Sequence, residues 1–281
     1  MKTGVILESF ATDIDTAIKK AREVGADGIQ MYADKVVDVA TPILACRELK
    51  KKVNDEGLVF SALCGDFGCK MFYEPTQAEI DREKKCLDLA FELGTKIVTT
   101  HIGVVPEDKN CIQYETMHKV CKTLNDYAVE MGGHYAIETG PEKAVILKDF
   151  LDTLNGAGMG VNFDPANLVM CAGDDPVSAV HTLKDYIVHT HAKDGIQLKP
   201  YDTRRIYAAK YYGLPPADER TYQEVALGEG KVDWQNYLTA LKDIGYNGFL
   251  TVERECGADP AKDILTAVTF LKLFIERNKL F

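Results

Sequence analysis

Tyr186-Ile187-Val188-His189-Thr190-His191-Ala192-Lys193-Asp194 is a β-branched run that ends abruptly in two histidines and a Lys-Asp pair. Apolar residues giving way to ionisable ones mark a buried strand that delivers side chains to an open end. Strand side chains alternate, so His189 and His191 face the same way, with His191 nearer the carboxyl end, where parallel α/β proteins build their sites. Three other strands finish alike: His134-Tyr135-Ala136-Ile137 closes on Glu138, Met159-Gly160-Val161-Asn162-Phe163 on Asp164, and Phe249-Leu250-Thr251-Val252 on Glu253. Singly, each acid reads as a cap or turn residue. Jointly, Glu138, Asp164, His191 and Glu253 read as one metal site, because packing three anions together without a cation costs on the order of several kcal/mol. The oxygen-rich set suits Mn²⁺ or Mg²⁺, with Co²⁺ or Zn²⁺ as alternatives.

Outward from these strands one punctuation recurs: an amphipathic helix, a glycine, then a short apolar strand. It falls at Gly25, Gly57, Gly94, Gly132, Gly156 and Gly245, where glycine supplies a left-handed helix C-cap. Helix starts agree. Thr41-Pro42, Asp175-Pro176 and Asp259-Pro260 place an N-cap before a proline, and Thr76-Gln77-Ala78-Glu79 fits a capping box. The pattern predicts strands near 4–8, 27–32, 58–63, 96–101, 134–138, 159–164, 186–191 and 248–253, each followed by a helix. Such alternation gives a parallel sheet, and the count of eight, with no Gly-x-Gly-x-x-Gly after the first strand, favours a closed (β/α)8 TIM barrel over an open sheet. The expectation is one barrel domain over 1–281, interrupted by a long irregular loop at 195–230. That loop carries Lys199, Arg204, Arg205, Lys210 and several tyrosines, and reads as a substrate lid or a dimer-forming arm.

Composition narrows the function. The 281 residues are 46% hydrophobic and 27% charged, which is ordinary for a globular protein with a sizeable core. A formal charge of −10 and a pI near 5.2, without basic patches, argue against nucleic acid as a partner. Eight scattered cysteines without Cys-x-x-Cys spacing read as thiols of a reducing compartment, and no window resembles a signal peptide or membrane span, so a cytoplasmic protein is expected. Around the metal site, His189 lies two residues deeper and reads as an interior hydrogen-bonding side chain in preference to a ligand. His101, ending Ile97-Val98-Thr99-Thr100, points toward the mouth as a substrate contact or carboxylate orienter. Asn167 and Lys193 are further candidates for substrate contact or ligand support, whereas Arg254 and Glu255 receive no catalytic role.

The segments Val188–Asp194, Leu227-Gly228-Glu229-Gly230-Lys231-Val232-Asp233-Trp234 and Gly245–Glu253, with Ile137-Glu138 and Asn162–Asn167, resemble the xylose isomerase-like sugar phosphate isomerase/epimerase superfamily across essentially the whole chain. The resemblance implies a (β/α)8 barrel, one divalent ion held by Glu138, Asp164, His191 and Glu253, and homo-oligomers. It implies an isomerase or epimerase of a sugar or sugar phosphate, with proton transfer through a metal-stabilised enediolate and Glu138 and Glu253 as the acid/base pair. The alternative is a dehydratase or lyase on a cyclic polyol or keto acid. An endonuclease-type hydrolase is disfavoured, since Asn167 and Tyr222-Gln223-Glu224 stand where related apurinic endonucleases carry further zinc ligands. A non-catalytic sugar-binding barrel is the remaining reading. Gln197 replaces an arginine of the ketose 3-epimerases, so their substrate preference does not carry over.

Overall fold

The repeated helix, glycine, strand units build a closed ring of parallel strands in a computed structural model that describes residues 1–217 and 220–278. In chain order the strands are β1 (Lys2–Ile6), β2 (Gly28–Tyr32), β3 (Val59–Cys64), β4 (Ile97–Thr100), β5 (His134–Glu138), β6 (Met159–Phe163), β7 (Ile187–Ala192), β8 (Asp194–Gln197), β9 (Tyr222–Val225) and β10 (Phe249–Val252). Eight of them hydrogen-bond in the order β1-β10-β7-β6-β5-β4-β3-β2, while β8 and β9 form a separate antiparallel ribbon. Closure leaves the barrel no edge strand. Each barrel strand feeds a helix on the outside, such as Ile14–Glu23, Gln77–Leu93 and Ile112–Met131, whose apolar stripes are buried.

Local chemistry explains most of the element ends. Gly25, Gly57, Gly94, Gly132 and Gly245 all adopt left-handed φ angles between 72 and 96°. The sixth junction differs: Asn155 takes the left-handed turn at φ 51°, and the glycines beside it serve close packing instead. A Cβ on Gly158 would sit 2.1 Å from the Asn125 carbonyl, and Asn125 Oδ1 accepts from Gly158 N and Met159 N. Thr76 and Glu79 form the capping box, and Asp175 and Asp259 cap their helices. Thr41 makes no capping hydrogen bond, so Pro42 alone opens its helix. The first strand ends at Ile6, two residues short of the expected end, because Leu7–Phe10 turns into a 3-10 helix and Glu8 accepts from Tyr32 N at 3.1 Å.

The segment expected to be an irregular loop over 195–230 contains the β8–β9 ribbon and a short helix, Arg204–Tyr207; positions 218–219 lie outside the described residues. Asp194 anchors its base. Its Oδ1 accepts from Gly195 N and Val232 N, and its Oδ2 from Gly228 N and Trp234 Nε1, at 2.9–3.2 Å. A Cβ on Gly230 would lie 2.0 Å from Asp194 Oδ1, which is why the Leu-Gly-Glu-Gly stretch must pass this carboxylate with bare backbone. All eight cysteines are free thiols, and no helix among the described residues is long and apolar enough to cross a membrane.

One buried acid makes the fold sensitive to pH. Glu83, 1% exposed in the helix Gln77–Leu93, lies against Gly65 with its Oε1 unpartnered, and burial pushes its pKa up to about 8. The folded chain therefore keeps this proton after the unfolded chain has lost it. Stability from this group is full below the ordinary glutamate range, falls as pH rises toward about 8, and then levels off. Glu83→Gln is expected to raise Tm by about 3 °C or more at pH 8 and to leave it nearly unchanged at pH 5, measured by thermal melts; equal shifts at both pH values would refute the assignment.

Candidate metal centre

Glu138 ends β5, Asp164 follows β6, His191 lies within β7 and Glu253 follows β10, so four neighbouring strands deliver one side chain each to the carboxyl end of the ring. These four offer one ligand atom apiece, all within 4.8 Å of one another. His191 Nδ1 is the hub, 3.5 Å from Glu138 Oε2, 3.6 Å from Asp164 Oδ2 and 3.3 Å from Glu253 Oε2. His191 and Asp164 are wholly buried, and Glu138 and Glu253 nearly so.

The residues around the four fix which atoms face inward. Asp164 splits its carboxylate: Oδ1 caps the short helix Pro165–Asn167 by accepting from Asn167 N at 2.8 Å, and Oδ2 has no hydrogen-bond partner although buried. Glu138 Oε1 accepts from Asn167 Nδ2 at 2.8 Å, and Oε2 from Asn162 Nδ2 at 3.2 Å. Asn167 reaches Glu138 because Gly140 passes beneath it, where a Cβ would lie 2.3 Å from Asn167 Cβ. With Asn162 Nδ2 committed to a carboxylate, its Oδ1 must accept from His189 Nδ1 at 2.9 Å, leaving His189 Nε2 to accept from Thr251 Oγ1 at 3.0 Å. His189 is thus a neutral floor residue. Burial, and then the neighbouring His191, hold its pKa well below the usual histidine value. Gln30 donates to Thr99 Oγ1 and accepts at Oε1 from His191 Nε2, 3.2 Å away, which turns His191 Nδ1 toward the carboxylates.

The charges are strongly coupled. Burial pushes Asp164 up, against the pull of His191 and Lys193. Burial also acts to raise Glu253, but Lys193 and His191 outweigh it and hold that carboxyl well below its ordinary range. Burial disfavours the Lys193 ammonium, yet Glu253, Asp164 and Glu255 keep its pKa well above the usual value; Nζ donates to Glu253 at 2.9 Å and to Glu255. His191 is likewise held protonated by Glu253 and Glu138 despite burial. Three acids converging on one nitrogen, with an orphaned buried oxygen among them, is a donor set that fits a divalent cation.

Above the cluster lies a chamber of about 840 Å³. His101 lies on its wall, with Nδ1 3.1 Å from Asp66 Oδ2 and Nε2 3.5 Å from Glu138 Oε1. Burial lowers its pKa, but Glu138 and Asp66 prevail and push it up to about 9. Tyr207, from the inserted segment, faces the His101 ring nearly parallel at 6.2 Å, with its hydroxyl 3.2 Å from Cys171 Sγ. The insertion is latched where Tyr211 stacks on Tyr73 at 4.4 Å and the Tyr212 hydroxyl donates to Val104 O. Sequence reading missed Asn162, Gln30 and Asp66. Asn162 and Gln30 were signalled as amides inside apolar strands, and Asp66 as an acid just past β3, the rule that found the other acids.

A closed parallel barrel with an acid-rich His cluster that could hold a metal ion at its carboxyl end defines a TIM barrel with its candidate site at the usual end. The chain belongs to the xylose isomerase-like TIM barrel family, whose model matches residues 18–274. An inosose dehydratase of Lacticaseibacillus casei is 23% identical over 68% of this chain and 66% of its own length. An uncharacterised protein of Methanocaldococcus jannaschii is 23% identical over 69% of this chain and 62% of its own, so the chain spans slightly less than two thirds of these curated relatives. A xylose isomerase domain protein of Planctomyces limnophilus superposes with a TM-score of 0.77 at 25% identity over 98% of both chains. A probable 3-DHS dehydratase of Bacillus anthracis shares the fold with a TM-score of 0.75 at 17% identity, over 97% of this chain and 99% of its own.

Addition of Mn²⁺ to metal-free protein is expected to raise Tm by about 5 °C or more at saturating concentration, because a bound ion stabilises only the folded form. Asp164→Asn should weaken binding about 100-fold in equilibrium dialysis. Undiminished Mn²⁺ binding by that variant would place the ion elsewhere.

Proposed function

We propose that this chain is a divalent-metal-dependent isomerase or epimerase that moves a proton at the carbon beside a sugar carbonyl. The observation that carries this reading is the convergence of Glu138, Asp164, His191 and Glu253 at the base of a chamber that Glu138 and Glu253 also line. A cation held by these four, Mn²⁺ or Mg²⁺ from the oxygen-rich donor set, would polarise the carbonyl and offset the charge developing on its oxygen. Glu138 and Glu253 stand three places apart in the ring, able to address two sides of a substrate between them. In this reading Glu138, oriented by Asn162 and Asn167, removes the proton, and on the other side Glu253 relays a proton from the Lys193 ammonium back to carbon, with solvent then restoring both groups. Return to the same carbon on the opposite face gives epimerisation; delivery to the neighbouring carbon gives isomerisation. The partner is a small sugar, and the net charge of −10 supports neither nucleic acid nor an anionic membrane surface.

A second reading is loss of water from a polyhydroxylated ketone, and the Asp66–His101 pair favours it. A protonated imidazole on the chamber wall beside Glu138 is suited to protonate a departing hydroxyl. Similarity to an inosose dehydratase supports the same outcome.

Incubation of metal-loaded protein with ketoses and inososes in D₂O separates the readings. Solvent deuterium in recovered sugar supports the first and formation of a dehydrated product the second. Glu138→Gln is expected to lower turnover about 1,000-fold. Full turnover in that variant would remove Glu138 from the chemistry.

A further inference from the structure

The chamber over the candidate metal centre is lined by carboxylates and short of unengaged buried cations. Asp66, Glu138, Glu224, Glu253 and Glu255 line it, and among the described residues Arg220, at the exposed rim, is the one lysine or arginine on its wall. The nearby cations are engaged elsewhere. Arg254 donates to Glu224 and, at 2.9 Å, to Asp263; Arg204 pairs with Asp202 at 2.7 Å; and Lys210 pairs with Glu74 at 3.0 Å. Lys193 is the one buried ammonium beside the cluster, clamped between Glu253 and Glu255. Glu255 itself, with its side chain 60% exposed, forms part of the chamber wall. His101, the other cationic group on the wall, is occupied by Asp66 and Glu138, and the remaining polar lining is neutral and suited to hydroxyls: Tyr32, Asn167, Tyr207, Thr221, Tyr222 and Gln223.

We propose that Glu255 acts as a charge filter: by holding Lys193 it leaves the chamber wall without a free buried cation, so the site takes an uncharged polyhydroxylated ketone and rejects sugar phosphates and carboxylated keto acids. The inference rests on the proposed function and names its substrate class. The wall carboxylates already hold their cations, Asp66 with His101, Glu224 with Arg254 and Glu255 with Lys193, so a phosphate entering here would be desolvated without an unengaged buried ammonium or guanidinium to pair with. The hydroxyls of a neutral sugar would meet donors and acceptors that carry no charge. Glu255 is a specificity-determining residue in this scheme. It does not touch the reacting atoms, and it acts through the ammonium it occupies.

The test compares D-fructose with D-fructose 6-phosphate, a pair differing in charge, by deuterium exchange on Mn²⁺-loaded protein. Thermal shift with inorganic phosphate supplies a readout independent of turnover. Wild-type protein is expected to favour the uncharged sugar by about 100-fold in kcat/KM and to gain no Tm from phosphate. Glu255→Gln, which leaves Lys193 one carboxylate, should narrow that preference about tenfold and produce a phosphate-dependent rise in Tm, while Glu255→Asp restores the wild-type pattern. Preference of the wild type for the phosphate ester would overturn the inference, as would a Glu255→Gln variant with unchanged preference or unchanged response to phosphate. If neither sugar exchanges deuterium although Mn²⁺ binds, the proposed ketose chemistry fails for these substrates, and the phosphate response of Glu255→Gln alone decides the filter.

Discussion

Three carboxylates cannot lie side by side in a protein interior unless positive charge lies among them. Glu138, Asp164 and Glu253 converge on His191 Nδ1, and in the protein alone their repulsion is relieved by a proton on that imidazole and by the Lys193 ammonium behind Glu253. Even so, one oxygen of Asp164 is left without a hydrogen bond in a fully buried position. An arrangement that leaves this much electrostatic cost unresolved is held in place by the rest of the fold, as strained sites are. A divalent ion held among the four, as proposed, would resolve it.

The barrel meets this demand with a polar floor. Beneath the cluster, Ser61, Thr251, His189 and Asn162 connect by hydrogen bonds across the interior of the ring, ending on Glu138. The orientations of Asn162, His189 and Thr251 follow from the top member, since a carboxylate accepts and the amide below it must donate, while Ser61 Oγ also donates to Ile29 O. A register shift between Val161 and Asn162, where β6 meets β7, places Asn162 opposite His189. Such irregularities re-aim side chains beside functional sites. Gln30 fixes the His191 ring from across the barrel, while Asn162 and Thr251 set the tautomer of His189.

Charge is graded from floor to rim. The neutral His189 lies deepest, the acid-rich cluster above it, and the Asp66–His101 and Lys193–Glu255 pairs flank the chamber. The inserted segment completes the wall through Tyr207 and keeps its own cations in pairs such as Arg204–Asp202 and Lys210–Glu74. Asp194 ties the base of this insertion to the strand bearing His191, so chamber wall and acid-rich cluster share one anchor. The barrel by itself does not define a reaction, which depends on the residues set into its mouth.

The ring of strands and its four acid-and-imidazole ends were legible in the chain because they follow local rules. Glycine beyond a helix, alternation along a strand and a polar residue at the strand's end each need only a few neighbouring residues to read. The same rules place Gly25 and Thr76 correctly and fail at Gly156, where packing against Asn125 decided the matter. They also miss β8 and β9, whose short polar strands pair through Asp194 across about 30 residues. Sequence by itself determined the barrel and the types of side chain at its mouth, since those depend on periodicity. Only the tertiary structure decided that Asn162 sets the tautomer of His189, that Asp66 backs His101, and that Lys193 is closed off by Glu255, because each is a contact between segments far apart in the chain whose energy depends on burial.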